Sequence, residues 1–315
     1  MGIAFVAFTT QFGGGFASGA QIYSYFINYG AWCLILPFLT QGLYALFFWY
    51  GMRYAYKHKT YDYRSFSDRI YGKTRYVMSN LFEITYLIMI GTASAAAFAT
   101  GGSTLNQLLN IPYWLCTLVV AAFIFLVAMF GTNVVRKTAS TLSVLIIVGL
   151  VVVLVPNIIA QFGDIQESIG RMAAGEMVVC SSQDGSFLPA LWSAVLYFLF
   201  QLASVSVMYQ HMEPVTSTKQ INRSAVWMFV VNSFAMMLSI IGLLAVGYVS
   251  ELADASVPML VLVQNGVGAA VLTPIIFILI ILGAVSTGVN MVSGIVVRCV
   301  NAVERRMEVS KRSKG

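Results

Sequence analysis

The sequence predicts an all-α polytopic membrane protein, and three observations carry that prediction. Of its 315 residues 59% are hydrophobic and only 10% are charged, where soluble domains average roughly 45–50% and 25%. Mean hydropathy is +0.82, and apolar runs recur at the length of bilayer-spanning helices, about 20 residues each. The basic residues also sort cleanly with those runs. About eight spans are expected, near 3–29, 31–55, 76–105, 111–131, 139–161, 187–210, 224–249 and 269–300.

Sidedness supports this division. If the first span enters from the cytoplasm, every Lys and Arg of the 18 except Arg171 falls in a cytoplasmic segment, as the positive-inside rule requires. Both termini are then cytoplasmic. The net charge of +6 reads as membrane sidedness and not as a nucleic-acid footprint. The expected partners are a lipid bilayer and a small-molecule solute. Cys33, Cys116, Cys180 and Cys299 show neither CxxC nor Cys/His spacing, so neither a disulfide framework nor a zinc site is indicated. Met1 runs straight into an apolar segment without a basic lead, so no cleavable signal is read there.

The first span carries Thr9-Thr10-Gln11-Phe12-Gly13-Gly14-Gly15-Phe16-Ala17-Ser18-Gly19. Each glycine costs about 1 kcal/mol against alanine in a helix interior. Two readings are open: a small-residue packing face, or a helix unwound at Gly13–Gly15 that exposes backbone groups to a polar pocket. The flanking Thr, Gln and Ser favour unwinding. Free N–H groups would then attract an anionic group and free carbonyls a cation.

The second span ends at the interfacial anchors Trp49 and Tyr50 and is followed by a polar, aromatic connection near 56–75. The third is long and holds Glu83, the one carboxylate well inside a span, together with Tyr86 and Thr92. Glu83 reads either as an interfacial residue reaching toward Arg53 or Arg75, or as a proton site. Tyr86 and Thr92 are candidate pocket residues, with ordinary packing as the alternative. The fourth span opens on the anchors Tyr113 and Trp114, and the fifth contains no lysine over about 139–161. A loop at 162–186 precedes the sixth span, which lacks a central glycine but offers Gln201, Ser204 and Ser206. After the seventh comes a connection near 250–268 and then a second long helix. It carries Gly283-Ala284-Val285-Ser286-Thr287-Gly288-Val289-Asn290, whose hydroxyls would ordinarily bond back to the preceding turn.

The order span, polar connection, long span thus occurs twice, five helices apart. An odd offset inverts the second copy, as in many secondary transporters.

The string Gly13–Gly19 resembles the first-helix signature of the YkvI family of bacterial membrane proteins. It is also similar to the Gly-x-Gly-hydrophobic-Phe motif of the amino acid–polyamine–organocation superfamily. The resemblance implies the leucine-transporter fold, a five-plus-five inverted repeat, in a bacterial inner membrane. It places substrate between broken first and sixth helices, hence at Gly13, Gly14, Gly15 and Phe16 and at Gln201 and Ser204. The missing glycine in the sixth helix departs from the family pattern, and an unbroken helix with a polar face is the alternative there. Tyr86 and Thr92 of the third helix, as candidate pocket residues, complete the candidate substrate residues. In sodium-coupled members two hydroxyls of the eighth helix join three carbonyls; here these are Ser286 and Thr287 with Gly283, Thr9 and Phe12. Oxygen ligands without a carboxylate suit a monovalent cation, so sodium is expected as coupling ion ahead of protons, with no other cofactor.

The expected function is secondary active transport of an amino acid or related solute by alternating access. The alternative is a ligand-sensing receptor subunit of the same superfamily that does not transport. No HExxH, Asp pair or Ser/His arrangement points to an enzyme. The chain reads as a single transmembrane domain, 1–315, with a first repeat at about 1–161 and an incomplete second at about 187–300. A basic cytoplasmic tail at 301–315 follows. Eight helices of an expected ten are counted, so the last two are expected to be missing from this sequence, either by truncation or in a natural eight-helix variant.

Overall fold

The computed structural model describes residues 2–129, 132–179, 181, 183–252 and 255–312. Among these residues every regular element is helical. The chain begins with α1 (Gly2–Gln11), α2 (Gly14–Ala17) and α3 (Ala20–Tyr25), then a 3₁₀ segment, Ile27–Leu34. α4 (Leu36–His58), α5 (Tyr63–Tyr71), α6 (Arg75–Leu109), α7 (Tyr113–Met129) and α8 (Thr132–Ala160) follow. The rest comprises α9 (Phe162–Ala173), α10 (Phe187–Gln201), α11 (Val205–Gln210), α12 (Thr218–Leu244), α13 (Pro258–Asn265) and α14 (Ala269–Arg312).

Among the described residues four stretches are long and apolar enough to cross a bilayer: Tyr63–Leu109, Ala139–Ala160, Thr218–Leu244 and Ala269–Val300. A fifth is added if Ile27–Leu34 and α4, bent by 76° at their junction, count as one. The chain is therefore an α-helical membrane protein. α1, α7 and α10 are apolar but shorter; at 1.5 Å per residue α7 reaches about 25 Å, short of a hydrocarbon core of about 30 Å. α12 is central, with 50% of its apolar window buried, and Tyr63–Leu109 peripheral, with 22%. Leu81, Ile84 and Ile88 of α6 accordingly face outward.

Local chemistry explains the boundaries. Asp62 caps α5 by accepting the Ser65 N–H at 2.9 Å, and Ser217 caps α12 by accepting from Gln220. α6 ends where Asn110 adopts a left-handed conformation. The core divides into an aromatic cluster around Phe8, Phe12, Phe16 and Tyr197 and another around Tyr44, Phe48, Tyr86 and Tyr209. α1 packs on α8, α12 and α14.

Three expectations are corrected, and for the sixth segment, open between an unwound turn and an unbroken helix, one alternative is observed. The segment 3–29 is interrupted twice, at Phe12–Gly13 and at Ser18–Gly19, while Gly14 and Gly15 are helical. The loop 162–186 contains α9, which buries Ile165, Ser168 and Met172 at helical spacing and exposes its charged face. The sixth segment stays helical throughout, tightening to a 3₁₀ turn at Leu202–Ser204. α14 continues through the expected tail to Arg312, because no glycine or proline interrupts 295–312.

Candidate functional site

The site begins with the backbone groups that a broken helix strands. α1 stops at Gln11, Gly13 is extended (φ −81°, ψ −170°), and α2 restarts at Gly14. The last carbonyls of a helix lack intrahelical partners, and α14 supplies partners for two of them. Ser286 Oγ donates to the Thr9 carbonyl at 3.2 Å, and Thr287 Oγ1 donates to the same oxygen at 3.1 Å. Thr287 also reaches the Thr10 carbonyl at 3.4 Å, while Ser286 bonds the Gly283 carbonyl at 2.9 Å. Asn290 Nδ2 then donates to the hydroxyls of Thr9 (3.1 Å) and Thr10 (2.8 Å). Glycine permits this approach. A Cβ on Gly283 would lie 2.9 Å from the Gly13 carbonyl carbon, and one on Gly13 would lie 2.8 Å from Thr287 Oγ1.

Of the five residues expected around a cation, Thr9, Gly283, Ser286 and Thr287 come together through these bonds. For Phe12 no described contact joins its carbonyl to the cluster. Its ring stacks on Phe8 with centroids 4.3 Å apart and is tilted against Phe16 at 3.9 Å, and it is the Gly13 carbonyl that abuts Gly283. The Thr9 and Gly283 carbonyls and the Ser286 and Thr287 hydroxyls offer only oxygens, and hydroxyls can rotate, so this donor set fits a small monovalent cation. Among the described residues no three His, Cys, Asp or Glu side chains converge.

Beside the break lies a cavity of about 410 Å³. Thr10, Gln11, Gly13, Gly14, Gly15 and Gln21 form one wall. Met89, Thr92, Ala93, Ala96, Ala97 and Thr100 of α6 form the second, and Phe200, Gln201, Thr287 and Met291 close it. Among the described residues no charged side chain lines it. Gln11 Nε2, Gln21 Oε1 and Gln201 Nε2 are buried atoms that make no hydrogen bond among the described residues, although the Tyr197 hydroxyl lies near Gln201. The residues Gln11 and Gln201 are only 3% and 5% exposed. An unpaired buried amide costs about 1–3 kcal/mol, and proteins seldom tolerate several without a role. Gln11 is oriented from behind, its Oε1 accepting from Asn232. The N–H groups of Gly13, Gly14 and Gly15 likewise find no backbone acceptor among the described residues.

Gly13, Gly14, Gly15, Gln201 and Thr92 line the cavity, though the Thr92 hydroxyl bonds back to the Met89 carbonyl at 2.9 Å. Phe16 does not line it and is fully buried. Tyr86 packs 4.8 Å from Tyr63 and 5.5 Å from Phe82. Ser204 is occupied by the Tyr44 hydroxyl (2.9 Å) and the Gln201 carbonyl (2.7 Å). Glu83 meets neither Arg53 nor Arg75. Its carboxylate pairs with Arg64 at 2.5 Å and with Arg298 at 2.7 Å, joining α5, α6 and α14.

Gln11, Gln21 and Thr100 were not singled out by sequence. The two glutamines bracket the glycine string ten residues apart, and the α6 wall follows an i, i+3, i+4, i+7 stripe of small residues from Ala93 to Thr100. No protein-family model matches the chain, and no curated protein sequence matches it.

Proposed function

We propose that this protein is a sodium-coupled secondary transporter of a small solute, an amino acid or related compound, belonging to the amino acid–polyamine–organocation superfamily in a YkvI-like form. In this reading eight spans form a leucine-transporter-like inverted repeat in a bacterial inner membrane, with both termini cytoplasmic. One observation carries the function. The terminal carbonyl of a broken helix, Thr9, is held by two hydroxyls of α14, directly beside an uncharged cavity with unpaired amides. Cation oxygens and solute donors therefore share one break, the arrangement that couples two ligands.

Two further features support the reading. The order long helix, short helix, longer helix occurs as α4–α5–α6 and again as α12–α13–α14. The cavity lies between α1–α2, α6, α10 and α14, the elements that carry the break and the α14 hydroxyls. Sodium is preferred over protons because the cluster contains no carboxylate and Glu83 is engaged by two arginines instead.

The test is uptake into proteoliposomes, using amino acids that stabilise the purified protein thermally. Uptake should follow an inward sodium gradient. Replacing Ser286 and Thr287 with alanine should raise the sodium concentration for half-maximal uptake about tenfold, equivalent to ~1.4 kcal/mol. Uptake indifferent to both sodium and proton gradients overturns the coupled mechanism. Tight ligand binding without any flux identifies the sensor alternative.

A further inference from the structure

A second recess, of about 700 Å³, opens where α5 turns into α6. Its rim carries Arg69, Lys73 and Arg75, all exposed. The one carboxylate there, Asp68, is paired with Arg64 at 3.1 Å. Within it lies Thr60, 6% exposed, whose hydroxyl is buried without a hydrogen-bond partner among the described residues. Gly72 makes the turn, with φ +50° and open space where a Cβ would stand. Arg75 is not free to wander, because its guanidinium stacks 5.0 Å over the Tyr76 ring and donates to the Tyr76 hydroxyl at 3.1 Å.

The surroundings decide what kind of anion this recess meets. Tyr76, Val77 and Leu81 begin α6 immediately beside the cations and are 72%, 63% and 55% exposed. An outward apolar strip on a membrane-crossing helix contacts acyl chains, so the cations sit at the boundary between water and hydrocarbon. Basic groups there gain about 1 kcal/mol each from anionic lipid, and Arg and Lys both bind phosphate well.

We propose that this recess binds the phosphate of an anionic phospholipid, with Arg69, Lys73 and Arg75 balancing its charge, Thr60 donating a directional hydrogen bond and the α6 strip receiving the acyl chain. The inference is independent of the transport reading.

The experiment measures thermal unfolding of the full chain in phosphatidylcholine nanodiscs into which phosphatidylglycerol is titrated at low salt. Phosphatidylglycerol should raise the midpoint by about 1.5 °C, the scale of ~1 kcal/mol in a chain of 315 residues. R69Q/K73Q/R75Q should lose at least half of that shift, and R171Q, which lies outside the recess, should keep it. Thr60→Val retains every charge and should weaken the phosphatidylglycerol response a few-fold, so a failure of the triple variant to fold leaves the proposal testable. No shift with phosphatidylglycerol, or a full shift in both the triple variant and Thr60→Val, overturns it. An equal shift from inorganic phosphate in pure phosphatidylcholine also overturns it, assigning the recess to a soluble phosphate.

Discussion

Glycine has opposite consequences at two positions of this protein. At Gly283 an added methyl lands 2.9 Å from the Gly13 carbonyl carbon and 3.2 Å from the Gly14 nitrogen, and backbone cannot step aside as a side-chain tip can. Gly283→Ala should therefore cost about 1–3 kcal/mol, the usual scale of overpacking, and should blunt any stabilisation by sodium as Ser286 loses register with Thr9. At Gly91 nothing lies within 4 Å of the same methyl, and Gly91→Ala should instead stabilise α6 by about 0.5–1 kcal/mol. Thermal unfolding of both variants checks the pair, and a shift of the same sign in each would count against the close α2–α14 approach. Contacts of this kind are half legible in sequence. Three adjacent glycines flanked by Thr, Gln and Ser point to a break in an apolar span, although it falls at Phe12–Gly13 and leaves Gly14 and Gly15 helical, and the Ser286-Thr287 pair is conspicuous in an apolar helix. What Phe16, Tyr86 and Ser204 touch depends on how far each helix is rotated, and a few tens of degrees sends a side chain into packing instead of the cavity.

Elements here are tied by polar contacts that no local pattern encodes. Glu83 lies on α6, and its partners come from α5, 19 positions earlier, and from α14, 215 positions later. The amphipathic α9 is likewise obscured, since Gly163, Gly170 and its charges give it the composition of a loop, yet Ile165, Ser168 and Met172 keep helical spacing. The Glu83 carboxylate and both guanidiniums are each less than one-fifth exposed. Removing such a charge strands its partners in a poorly hydrated place. Glu83→Gln should destabilise the fold by about 2 kcal/mol, within the range for hydrogen bonds to charged groups. Glu167 offers the contrast, because its side chain is 70% exposed and 3.8 Å from Arg171; there Glu167→Gln should change stability by less than about 0.5 kcal/mol. Denaturation of the two variants side by side is the measurement. If Glu83→Gln proves as harmless as Glu167→Gln, the triad does not hold α5, α6 and α14 together.

The whole molecule has two chemically distinct poles. One gathers the α5–α6 turn and the distal part of α14, joined by Arg64, Glu83 and Arg298. The other gathers α9 and the chain after it on the 3₁₀ segment, where Trp32 Nε1 donates to the Gly185 carbonyl at 3.0 Å and Ser181 Oγ to the Asn28 carbonyl at 2.6 Å. The first pole is rich in arginine and lysine, while the second carries Asp164, Glu167, Glu176 and Asp184 around a single arginine. Under the proposed topology, which rests on the positive-inside rule, the first pole is the cytoplasmic one. α14 makes this testable, since Cys299 lies about 45 Å along a helix that needs only about 30 Å to cross hydrocarbon, and it is exposed. With Cys33, Cys116 and Cys180 changed to serine, a membrane-impermeant maleimide should label Cys299 in inside-out vesicles and not in intact cells. Glu176→Cys, in a background that also lacks Cys299, should show the reverse. Labelling of both from one side would break the two-pole architecture itself, because α9 and the end of α14 could not then lie across the bilayer from each other. Labelling on exchanged sides would preserve the architecture but invert it in the membrane, and the charge partition would then have to be read as an exception to the rule that orients it.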